Sequence, residues 1–262
     1  MFKKAGLILS VLSVSCLMAT PVYIADTYFG QNPVVGNGSG ISNDNAGATY
    51  EVNQDYIGAG FNITGMNVDY TGSSLKVEIY SDYFKNSVFQ PEYSGYGIEM
   101  GDLFISTDGL NTSTVSNYMI NDHYGIGEDW EYALMLDNSA GSSGNLYWYA
   151  FNGSSNNTGA PVILSHVPTN NMFIYRNNQE VQVDDAAAGL LAGTWVRNNA
   201  GSLAFNVTNT TPLADASELG FHWAPTCAND VIEGNVKVPE PATILLLGFG
   251  LVLVGIGSRK KR

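Results

Sequence analysis

Leu75-Lys76-Val77-Glu78-Ile79-Tyr80 alternates apolar and polar residues without interruption. Successive side chains of an extended chain point to opposite faces. Leu75, Val77 and Ile79 therefore share one face, and Lys76 and Glu78 the other. The stretch predicts a half-buried β-strand. Outward from it, Phe61 to Val68, Asp102 to Ser106, Trp130 to Leu136, Leu146 to Phe151 and Val162 to His166 read as further strands. Met172 to Tyr175, Glu180 to Val183, Gly193 to Val196, Ser202 to Val207 and Gly220 to Trp223 continue the series. Gly36-Asn37-Gly38-Ser39-Gly40, Asp137 to Gly144 and Asn152 to Gly159 are turn-rich loops between them. Asp185 to Leu191 has the composition of a single helical turn. Strands dominate and helical periodicity is lacking. The expected fold is mostly β: a single jelly-roll-like β-sandwich of two aligned sheets, with about a dozen strands.

Composition sets the bounds. Charged residues are 13% of the chain and aromatics 11%, and there are 29 glycines. This mix suits an exported β-rich protein. Six of the 11 basic residues (Lys3, Lys4 and Arg259 to Arg262) and one of the 24 acidic residues (Glu240) sit in the end segments, leaving 5 basic against 23 acidic residues and a balance of −18. Such a surface excludes electrostatic binding of nucleic acid or anionic lipid. It keeps an exported protein soluble, and it attracts divalent cations. Asp102, Asp108, Asn121, Asp122, Glu128 and Asp129 supply loop oxygens of the type calcium takes, without EF-hand spacing. No metal or other cofactor is assigned; a structural calcium ion stays open.

Catalytic patterns are scarce. His123, His166 and His222 are the only histidines, and none has metal-ligand spacing to another. Neither a Gly-x-Ser-x-Gly elbow nor a strand-to-helix Gly-x-Gly-x-x-Gly occurs. His222 and Cys227 suggest a thiol nucleophile, but i and i+5 point to opposite faces of a strand. Glu128-Asp129-Trp130-Glu131 is a carboxylate cluster without a glycosidase spacing. Tyr147-Trp148-Tyr149 puts an aromatic on both faces of one strand, which suits a core residue on one side and a sugar platform on the other.

The two ends carry addresses. Lys3 and Lys4 precede an apolar run from Ala5 to Met18, and Ala25 precedes Asp26, giving a signal peptide over residues 1–25. Tyr23 is large for the third position before that cut, and cuts after Ser15 or Ala19 are the alternatives. Removal takes Cys16 away and leaves Cys227 alone, so no intramolecular disulfide is expected. Residues 26–230 are the ectodomain and residues 231–238 a linker. At the far end stand Pro239-Glu240-Pro241, the uncharged run Ala242 to Gly257, and Arg259-Lys260-Lys261-Arg262. The run makes a helix of roughly 24 Å, slightly short of a hydrocarbon core of about 30 Å. The expectation is a C-terminal transmembrane helix with its basic end in the cytoplasm.

Pro-Glu-Pro, an apolar helix and a basic end, behind a signal peptide, resemble the PEP-CTERM sorting proteins of Gram-negative bacteria. That tail is also called the ice-binding protein C-terminal domain, a label for the tail alone. Asp26-Thr27-Tyr28-Phe29-Gly30, Gly101-Asp102-Leu103-Phe104, Arg176 to Val181, Gly193-Thr194-Trp195 and His222 to Gly234 resemble stretches found in this order in one group of such proteins. The resemblance implies export by the Sec translocon, trimming by signal peptidase and recognition of residues 239–262 by exosortase, a membrane protease-transpeptidase. It implies a surface or extracellular-matrix protein, not an enzyme, associated with exopolysaccharide or biofilm. Alternatives are a carbohydrate-binding module and, further off, an exported glycoside hydrolase using Glu128 or Glu131.

Overall fold

The computed structural model describes residues 20–26, 59–85, 98–110, 130–151, 162–164, 180–184, 189–228 and 230–238. Among these, the strands in chain order are β1 (Val22–Ala25), β2 (Ile63–Tyr70), β3 (Leu75–Ser81), β4 (Leu103–Ser106), β5 (Tyr132–Leu136) and β6 (Ser143–Ala150). They continue with β7 (Val162–Leu164), β8 (Glu180–Val183), β9 (Leu190–Asn198), β10 (Ser202–Val207), β11 (Glu218–Trp223) and β12 (Ile232–Lys237). Short 3-10 turns at Ala59–Phe61, Asp82–Phe84 and Thr211–Leu213 complete the regular structure.

The alternation in β3 is realised as expected. Leu75, Val77 and Ile79 are buried, Lys76 is exposed and Glu78 half-buried. Facing residues repeat the pattern: Val68 opposite Val77 on β2, and Phe205 opposite Val77 on β10. The main core gathers these with Leu103, Ile105, Leu134, Leu136, Leu146, Trp148, Trp195, Phe221 and Trp223.

The two-sheet sandwich is corrected. Ten of the described strands form one antiparallel sheet in the order β1-β2-β3-β10-β9-β6-β5-β4-β11-β12, and β7 and β8 form a separate ribbon. The sheet is nearly closed, because Ile24 of β1 packs against Gly234 of β12. Alternation says which face of a strand is buried. It does not say which strands are neighbours, or whether a twisted sheet splits or curls.

The outer face is also only half polar. Beside β4, β5 and β6, Phe104, Ala133 and Met135 point away from the main core. There they pack with Trp130, Phe151 and Val183 of β8. β4 and β5 are consequently buried on both sides, which matches their unbroken apolar runs.

Two segments assigned elsewhere in the sequence are strands. Val22–Ala25, expected within the signal peptide, is β1, and Ile232–Lys237, expected within the linker, is β12. Among the described residues no helix is long and apolar enough to cross a membrane; Ala242 to Gly257 lies outside them. Met172 to Tyr175 and residues 185–188 also lie outside.

Candidate functional site

The β11–β12 hairpin carries the densest polar chemistry in the described residues. Its register sets His222 directly opposite Glu233. Leu219, Phe221 and Trp223 point into the main core, so His222 points out, toward the second cluster. There Nδ1 lies 2.7 Å from Glu233 Oε1 and Nε2 lies 2.8 Å from the Glu180 carbonyl. The two side chains are 1% and 3% exposed. Phe104 meets the imidazole edge-on at 5.9 Å between centroids, and Trp130 lies tilted against it at 5.6 Å.

Both ring nitrogens face oxygen. A neutral imidazole has one N–H, so it can donate to only one of them. Which of the two oxygens receives it depends on the tautomer.

The turn that follows is fastened by side chains bonding to backbone. Asp230 is 0% exposed, and its carboxylate accepts from Ile63 N at 2.6 Å and from Val231 N at 2.9 Å. Thr226 Oγ1 accepts from Glu99 N at 2.9 Å, while Thr226 N donates to the Glu99 carbonyl at 3.1 Å. Trp223 Nε1 donates to the Gly101 carbonyl at 2.9 Å. Next to it, Asp102 accepts from Leu136 N and Val183 N, both at 2.8 Å. A carboxylate that accepts two buried amides satisfies donors that burial would otherwise leave costly. His222 to Gly234 and Gly101 to Phe104 thus form one clamp joining β12, β11, β4, β5, β8 and β2.

The structure separates His222 from Cys227. The imidazole is engaged on the outer face, whereas the buried thiol belongs to the main core with Trp223 and Tyr83. Burial raises the Tyr83 phenol well above its ordinary value, the charges of Cys227 and Glu99 add to this, and Arg197 opposes it. The Tyr83 hydroxyl stays a donor, bonding the Ile98 carbonyl at 3.2 Å. Burial likewise lowers Arg197, whose Nη1 donates to the Phe84 carbonyl at 2.8 Å.

The remaining candidates are dispersed. Glu131 accepts from Thr107 N at 2.7 Å, and Asp108 accepts from Ser106 Oγ at 2.8 Å. Glu128, Asp129, Asn121, Asp122, His123 and His166 lie outside the described residues. Among the described residues no three His, Cys, Asp or Glu side chains gather into a metal group. Trp148 faces the core and donates to the Asn209 carbonyl at 2.7 Å. Tyr147 and Tyr149 are half-buried against the second cluster, with Tyr149 edge-on to Phe151 at 4.9 Å. Both rings pad a packed layer.

Glu233 was missed in the sequence because its partner is 11 positions away and only the hairpin register brings them together. The alternation of Ile232, Glu233 and Val236 was the available signal, and Gly234 and Asn235 blur it.

Pro239, Glu240, Pro241 and Arg259, Lys260, Lys261, Arg262 lie outside the described residues. The described structure does fix what precedes them. β12 runs to Lys237, and Val238 N still donates to the Ser217 carbonyl at 3.1 Å. Most of the expected linker, residues 232–237, is thus strand, and its backbone bonding reaches Val238, the last described residue. Proline has no amide hydrogen and cannot extend the ladder.

Residues 237–262 match the family model of the PEP-CTERM protein-sorting motif. No curated protein and no solved structure matches the chain. The C-terminus thus carries a sorting signal of the kind exosortase recognises, a membrane-anchored address for export to the cell surface.

Proposed function

We propose that the chain is a non-enzymatic surface or matrix protein. It is delivered by the Sec translocon, held briefly by Ala242 to Gly257, and released or transferred by exosortase into an exopolysaccharide layer. The match at residues 237–262 carries this reading. In it, Arg259, Lys260, Lys261 and Arg262 keep the C-terminus in the cytoplasm, since basic residues beside an apolar span are retained there. Pro239 and Pro241 hold Glu240 extended, because each proline fixes its own φ and restricts the residue before it. An extended segment fits a protease cleft where a helix does not. The β-domain supplies a stable body built from buried polar clamps.

The test is processing. Glu240→Ala, or Pro239→Ala with Pro241→Ala, is expected to accumulate a membrane-bound precursor in an exosortase-bearing host. Mature protein of unchanged mass at the surface would remove the motif from the mechanism.

A further inference from the structure

We infer that the mature protein keeps Val22–Ala25, so that the signal peptidase cut falls before Val22 and not after Ala25. The inference rests on the export reading above and adds where the leader ends. The step is peptide hydrolysis: water adds across one bond, leaving a carboxylate on the leader and an amine on the mature chain.

β1 is part of the sheet. Val22, Tyr23, Ile24 and Ala25 pair antiparallel with Val68, Asn67, Met66 and Gly65 of β2. Ile24 is 9% exposed and belongs to the main core. On its far side it meets β12, where a Cβ added to Gly234 would stand 2.5 Å from Ile24 Cγ2. β1 thus stands between β2, with which it pairs, and β12, which its Ile24 side chain meets. On the other side of β1, the Tyr23 ring occupies the place a Cβ of Gly65 would need, and its hydroxyl donates to the Thr64 carbonyl at 2.6 Å. Gly65 has φ +154 beside a bulge in the β2–β3 register. Two glycines on two different strands therefore accommodate side chains of β1. A segment discarded before folding would not need either one.

Cutting after Ala25 would uncover the outer hydrogen-bonding edge of β2 and open the main core at Ile24. Unpaired sheet edges are templates for aggregation. That cut also places Tyr23 where signal peptidases take a small residue. Smaller residues lie upstream: Ser13 and Ser15, and Ala19, which immediately precedes the compact unit Thr20–Pro239.

N-terminal sequencing and intact mass of the protein recovered from the surface or medium of its host decide the matter. A first residue no later than Val22 is expected, such as Thr20 or Cys16. A first residue of Asp26 overturns the inference and leaves export standing. A surface chain still beginning at Met1 also overturns the inference, because no cut then occurs, whereas protein found only inside the cell overturns the export reading itself. Ala25→Tyr gives an independent arm, because Ala25 is exposed in β1 and a large side chain fits there. The variant is expected to mature at an unchanged position and yield. Blocked maturation would overturn the inference.

Discussion

The two ends of the sheet are held by different physics. At one end, β1 is fixed by shape: Ile24 against Gly234, the Tyr23 ring over Gly65, and an exposed side-chain bond to the Thr64 carbonyl. At the other, β12 is fixed by buried polar groups: His222 with Glu233, and Asp230 holding the amides of Ile63 and Val231. Apolar contacts lose stability in increments as atoms are removed. Buried polar pairs fail abruptly, because removing one partner strands the other. The edge leading to the sorting tail is thus the more brittle under substitution, although both edges belong to one sheet.

The comparison breaks most visibly at Glu233. In a chain spanning residues 20–238, Glu233→Ala leaves His222 buried without its carboxylate and should cost about 3–5 kcal/mol in urea unfolding. Replacing both residues, His222→Phe with Glu233→Leu, should restore most of that loss, since a well-packed apolar pair often equals a buried ionic one. A single substitution costing less than about 1 kcal/mol would mean that β12 is held by its apolar residues after all.

Gly234→Val probes the contact between the two edges. Its new side chain meets Ile24 and should cost about 1–3 kcal/mol by overpacking. Ile24→Ala in the same chain should recover part of that cost, so the pair departs from additivity. Strictly additive effects would show that β1 does not reach β12.

Tyr23→Phe should be the mildest. It removes one exposed hydroxyl and keeps the ring over Gly65, so its effect should stay within about 0.5 kcal/mol. A loss as large as that at Glu233 would make the hydroxyl, not the ring, the fastening at this edge.

Much of the strand inventory was legible beforehand. Glu180–Val183 and Ser202–Val207 coincide with β8 and β10, and Leu75 to Tyr80 with all but the last residue of β3. Period-2 alternation is a local property, visible wherever one face is apolar. The terminal strands were not legible for the same reason. Val22–Ala25 follows an apolar leader and merges with it. Ile232–Lys237 has its alternation interrupted by Gly234 and Asn235. The clamp was hidden too, since Asp230 and Ile63 meet across 167 positions.

The sequence by itself determined the β class, the acidic surface and the sorting tail, because alternation, charge and a contiguous motif are all written in neighbouring residues. Only the tertiary structure decided that ten of the described strands make one nearly closed sheet, that the outer face of β4–β6 is covered, and that Val22–Ala25 and Ile232–Lys237 are strands of it. Each of these depends on which distant backbones pair, and a strand's own residues carry no record of its neighbours until register brings them together.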